Sequence, residues 1–107
     1  MKMVKVTLKK IFECSYYEWE CYIFQFYAGK KALPIFRYTI FYFDELYTSG
    51  AFSTLKECIG ELRENLADMA EEKTDYYDRC FAYFCMDKLK LIFGDKDDWR
   101  QIHLLQL

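Results

Sequence analysis

Between Thr54 and Lys73 the apolar residues recur at helical spacing. Leu55, Ile59, Leu62, Leu66 and Met69, with Ala70 beside it, follow one another in steps of three and four. A helix over 54–73 carries them on one stripe, and that stripe must be buried against another layer. Ser53 stands at the N-cap position, with Lys56 and Glu57 following, which makes a partial capping box.

The layer that receives this helix is written upstream in a different period. Residues 3–12 alternate, with Val4, Val6 and Leu8 on one side and Lys5, Thr7 and Lys9 on the other. This is the pattern of a half-buried strand. Residues 17–28 predict a second strand with Tyr22, Phe24 and Phe26 on one face. Trp19, Cys21, Ile23 and Tyr27 take the other, interrupted by Gln25. A turn with Gly29 and Pro34 precedes a third strand over 35–43, in which Phe36, Tyr38, Ile40 and Tyr42 share a face. Short connections favour an antiparallel meander. Residues 47–53 read as the turn into the helix. Residues 75–93 admit two readings. Tyr77, Phe81, Phe84, Lys88 and Ile92 fit a helix capped by Asp75, while residues 79–86 and 89–93 also fit two strands. The expected fold is α+β: a three-stranded meander packed on the helix, a second helix over 75–93 and a short C-terminal element over 99–107. Repeats and linkers are lacking, so one domain over 1–107 is expected. The second strand is apolar on both faces, so residues 75–93 must cover the back of the sheet or leave it as an interface.

The 107 residues contain 22 aromatics, and fourteen of them fall between Tyr16 and Phe52. Such a cluster builds a core, and part of it can also face a partner, because Tyr and Trp are frequent binding anchors. Trp19 and Tyr27 are the candidates for that role. The net charge is −2, without the basic excess of a nucleic-acid binder. A basic rim of Lys5, Lys9, Lys10, Lys30, Lys31 and Arg37 beside aromatics is the weaker counter-pattern. Five cysteines without a Cys-x-x-Cys pair, an N-terminus without a signal-peptide core and no long apolar run point to a reduced, cytoplasmic protein without a membrane span.

Catalytic and cofactor chemistry is hard to write on this chain. His103 is the one histidine and sits near the end, where it makes a poor general base. The four glycines are isolated, which excludes a phosphate loop. Zinc lacks a ligand set, and the Asp95-x-Asp97-Asp98 stretch lacks the glycine and terminal glutamate of a calcium loop. No catalytic residue, metal or cofactor is expected.

The remaining constellation is acidic. Glu57, Glu61, Glu64, Asp68, Glu71 or Glu72, and Asp75 follow the helical repeat on its polar side. Neighbours on such a stripe lie about 5–6 Å apart, on the scale of successive phosphates along a nucleic-acid strand. The alternative is an ordinary solvated helix face, since Glu is a good helix former.

The segment Phe43-Asp44-Glu45-Leu46, then Gly50, then Thr54-Leu55-Lys56-Glu57-Cys58 and Glu64-Asn65-Leu66 resembles the strand–turn–helix of HicB-type antitoxins, over about a quarter of the chain. The resemblance implies a strand that ends in the acidic-Leu pair, a glycine turn and a helix. In kind, the chain is similar to small inhibitors carried by phages and mobile elements, including anti-CRISPR proteins that mimic nucleic acid. The leading expectation is a non-enzymatic inhibitor or regulator that binds another protein, itself a nucleic-acid binder. Glu57, Glu61, Glu64, Asp68, Glu72 and Asp75 would supply the charge, and Trp19 and Tyr27 the anchors. The alternative is an antitoxin-like or self-associating protein, a homodimer included, that uses its aromatic sheet face. A small enzyme using Tyr and carboxylate chemistry is the third reading and requires a deep polar pocket.

Overall fold

The computed structural model describes residues 6–28 and 33–94. Its elements are β1 (Val6–Tyr16), β2 (Trp19–Ala28), β3 (Ile35–Tyr42), β4 (Glu45–Phe52), α1 (Leu55–Glu72) and α2 (Tyr76–Phe93). The sheet is an antiparallel meander in the order β1-β2-β3-β4. The α+β class and the meander therefore hold, with four strands where the alternation predicts three. β4 occupies the stretch that reads as a turn, because Thr48-Ser49-Gly50 is weak strand sequence on its own. Among the described residues it pairs with β3 alone, and an edge strand tolerates polar residues along its outer side. The pairing also revises the antitoxin-like reading, since Glu45 and Leu46 open a strand and do not end one.

Strand limits move for local reasons. β1 continues to Tyr16, well past the expected end at residue 12. Its register shifts between Lys10 and Phe12, a bulge around Ile11. Leu8 lies opposite Phe26 and Lys10 opposite Phe24, whereas beyond the bulge Phe12 lies opposite Ile23 and Cys14 opposite Cys21. The extra residue flips the inward side of the strand, so strict alternation mispredicts which face Leu8 takes. The two tight hairpin turns are Tyr17-Glu18 and Phe43-Asp44. Phe43 and Asp44 both have positive φ, 50° and 63°, as the commonest two-residue hairpin turn demands. Glycine is the favoured residue at the second of these positions. Asp44→Gly is therefore expected to stabilise the protein by about 0.5–1 kcal/mol. A thermal midpoint that fails to rise would show that the aspartate side chain compensates the backbone cost.

Both helices lie on one face of the sheet, α1 over β3 and β4 and α2 over β1 and β2. The cap of α1 is Thr54, one residue later than expected. Its hydroxyl accepts from the Glu57 N–H at 3.2 Å and donates to the Glu57 carboxylate at 2.9 Å. With that shift, Glu57 occupies the standard third position of a capping box. Residues 76–93 form a single helix, capped by Asp75, which accepts from the N–H groups of Tyr77 and Asp78. Its buried stripe is Phe81, Ala82, Cys85, Leu89 and Phe93, rotated from the expected one, so Phe84 is exposed. The expected C-terminal element over 99–107, His103 and the Asp95–Asp98 turn lie outside the described residues.

One apolar cluster joins the layers. Phe12, Cys14, Trp19, Cys21, Ile23, Phe36, Tyr38 and Ile40 from the sheet meet the stripes of both helices. Cys14, Cys21, Cys58 and Cys85 are buried and all five cysteines are free. A hydrogen bond to Cys85, then burial, hold the Cys14 thiol above its usual range, and burial pushes Cys58 up to about 12. These thiols stay protonated and pack as small hydrophobes. Because α2 lies beside α1, it does not cover the back of the sheet. No described element covers that face.

Candidate acidic interface

The carboxylates of α1 emerge together. At about 100° per residue, Glu57, Glu61, Glu64, Asp68, Glu71 and Glu72 occupy a sector roughly 100° wide, opposite the buried stripe. All six residues are exposed. From Glu57 to Glu72 the row runs for about 22 Å. Of the two bases within the helix, Lys56 stands in the first turn and Arg63 leaves by a different side from the row. Its guanidinium donates to the Gly94 carbonyl at the end of α2. Lys73, after the last turn, sits with its ammonium 5.0 Å from the centre of the Tyr47 ring.

Members of the row are not equivalent. Glu57 is engaged in the capping box, and Asp75 lies in the turn between the helices and caps α2. Glu61 ties the helix to the sheet, accepting the Tyr38 hydroxyl at 2.7 Å, while the Asn65 amide donates to the same hydroxyl at 2.6 Å. Burial, then the bond to Glu61, push the Tyr38 phenol well up, so it remains a donor. Glu64, Asp68, Glu71 and Glu72 are exposed and, among the described residues, take no part in the capping box or in the bonds that tie α1 to the sheet. Asp68 and Glu72 also line a groove of about 400 Å³ with Tyr47, Thr48, Asn65 and Met69, between α1 and the edge strand β4.

The two aromatic anchors read from the sequence are not beside this row. Trp19 is 2% exposed, packs parallel to Phe81 with ring centres 5.2 Å apart, and donates its indole N–H to Asp78 at 2.8 Å. It belongs to the core and offers no surface to a partner. Tyr27 is exposed near the end of β2, where its hydroxyl accepts from the Gln25 amide. The aromatic that borders the acids is Tyr47, in the groove. A second aromatic group lies around the hairpin tips: Tyr17 meets Tyr77 at a tilt with ring centres 4.7 Å apart, Tyr77 meets Tyr76 edge-on at 5.6 Å, and the Phe43 N–H bonds to the Glu18 carbonyl of the neighbouring turn. Tyr17 and Phe43 are 68% and 61% exposed, and both sit at positive φ. A bulky side chain there costs about 1–2 kcal/mol, and strained exposed residues concentrate at functional sites. Two-residue turns without glycine, Tyr17-Glu18 and Phe43-Asp44, were the sequence signal for these rings.

Among the described residues the basic rim is split between the two faces of the sheet. Lys9 pairs with Gln25 on the helix side, Lys10 and Arg37 lie on the opposite face, and Lys5, Lys30 and Lys31 lie outside the described residues. Among the described residues, no group of three or more His, Cys, Asp or Glu is placed to hold a metal ion, and no helix is long and apolar enough to cross a membrane. No protein-family model, no curated protein and no solved structure matches this chain.

Proposed function

We propose that this chain is a non-enzymatic inhibitor or regulator. In this reading it binds another protein through the acidic face of α1 and occupies that protein's basic nucleic-acid-binding surface. The observation that carries the reading is the common projection of Glu64, Asp68 and Glu72, with Glu57 and Glu61 in line, into one exposed row. Carboxylates about 5–6 Å apart present a partner with charge on the scale of a phosphate strand. Complementary charge accelerates encounter and disfavours wrong partners. Exposed aromatics such as Tyr47, Tyr17 and Phe43 supply the apolar contact that charge lacks.

The test is capture of the partner from source cells on immobilised protein, followed by titration with the purified partner. Affinity is expected to fall steeply with salt, and nucleic acid is expected to displace the chain. Reversing Glu64, Asp68 and Glu72 together to Lys should weaken binding by at least about tenfold while leaving the thermal midpoint nearly unchanged. A partner held equally well by the triple variant, or one that binds nucleic acid and this chain at once, would sink the proposal.

A further inference from the structure

The sheet face away from the helices carries apolar side chains that no described element covers. Register places its side chains in rows across the strands. Leu8, Phe26 and Ile35 form one row and Lys10, Phe24, Arg37 and Ala51 the next. Glu13, Tyr22, Thr39 and Ser49 follow, then Ser15, Glu20, Phe41 and Leu46. Tyr22 stacks on Phe24 at 5.7 Å and meets Phe41 edge-on at 6.2 Å. These rings are half-buried by one another, while Leu8 and Leu46 are exposed. A soluble chain rarely leaves such a continuous patch to water.

We infer that this face is the interface between two copies of the chain, stacked sheet on sheet with their strand directions reversed. The charge pattern identifies the occupant. The face holds two bases, Lys10 and Arg37, in one row and two acids, Glu13 and Glu20, displaced along the strands. Among the described residues it is electrically balanced, and it is self-complementary only when one copy is turned end for end. A two-fold interface requires such self-matching. Stacking with the rows in phase would lay the row that holds Lys10 and Arg37 over the same row of the other copy, a like-charge juxtaposition that costs affinity. Turned end for end, each strand lies over its own copy and Lys10 of one chain faces Glu13 of the other, so the 2.6 Å pair within each copy joins a cluster of four alternating charges. The size also fits. Four strands about 4.8 Å apart and four rows about 6.8 Å apart project on the order of 500 Å² before side-chain relief. That is the scale of the roughly 800 Å² that a partner buries in a standard interface. Both acidic helices face outward in this dimer, so the inference stands independently of the proposed function.

Light scattering on a sizing column and sedimentation across a wide concentration range test it. The wild type is expected to be a dimer that dissociates on dilution. Lys10→Glu and Glu13→Lys should each weaken association about tenfold or more, and the two together should restore it. Phe24→Lys, in the middle of the face, should give a folded monomer. If that variant does not fold, Ala51→Arg in the same row, on an exposed edge-strand position, carries the same expectation. A wild type that is monomeric at all concentrations, or whose mass climbs past two copies, overturns the inference. A dimer indifferent to Phe24→Lys or Ala51→Arg overturns it too, and a double charge swap no better than its singles overturns the reversed stacking.

Discussion

Replacing Trp19 by alanine is expected to cost about 3–5 kcal/mol, the range for deleting a large buried aromatic. It should lower the thermal midpoint by on the order of 15–25 °C. The indole opens β2 immediately after a hairpin turn and touches both layers. It lies over Phe81 of α2, 4.4 Å from the Tyr42 ring and 5.1 Å from the Tyr47 ring, and its N–H goes to Asp78. Alanine removes the packing on three sides and one hydrogen bond across the layers. Against a total stability of about 5–15 kcal/mol, much of the protein should unfold at physiological temperature. Trp19→Phe keeps a ring on Phe81 and loses the bond to a half-exposed carboxylate that water can reach, so it should cost only about 1–2 kcal/mol. The measurement is the thermal midpoint by circular dichroism for the two variants. A binding anchor would behave in the opposite way, with partner affinity lost and the midpoint intact. That outcome would return Trp19 to the surface role that its residue type suggests.

The contrast shows which parts of the structure the residue pattern exposes. α1 was legible because six apolar positions repeat at helical spacing over eighteen residues, and no strand tolerates that period. β2 was legible as a run rich in aromatic and apolar residues bounded by a glycine turn, and β3 because Phe36, Tyr38, Ile40 and Tyr42 alternate along one face. β4 was not, because its glycine and hydroxyl residues carry no periodic signal and its strand state comes from pairing with β3. The bulge at Ile11 was invisible for a related reason, since one inserted residue looks like ordinary sequence until a partner strand counts it. In α2 a mixture of Tyr, Phe and Cys populates both the buried and exposed sides, so helix and strand readings competed. For the candidate site, spacing was enough to align the carboxylates. Spacing does not report depth, and a tryptophan at the start of a strand reads the same whether the layer above it covers it or not.

Gly50→Ala is expected to destabilise the protein by about 1–3 kcal/mol, against the usual direction. In the interior of a strand, alanine ordinarily improves on glycine by roughly 0.5–1 kcal/mol. Here a methyl group would stand 2.5 Å from the Glu61 carboxylate, 2.7 Å from the Tyr38 ring and 3.0 Å from the Phe52 ring. The carboxylate sits at the end of a flexible side chain and can yield. Tyr38 cannot: it is 1% exposed, lies nearly parallel to Phe52, and is held at its hydroxyl by Glu61 and Asn65 of α1. Gly50 faces Tyr38 directly in the β3–β4 register, so the strand leaves out a side chain where the ring must lie. A methyl there moves the ring, and with it the hydrogen bonds that join the edge of the sheet to the acidic helix. A double-mutant cycle isolates the effect. In a Tyr38→Val background the space is free, and Gly50→Ala should become neutral or stabilising. The same loss in both backgrounds would mean that the glycine answers to the backbone and not to the ring. A stable Gly50→Ala protein would mean that the Tyr38–Glu61 contact is too loose to position α1.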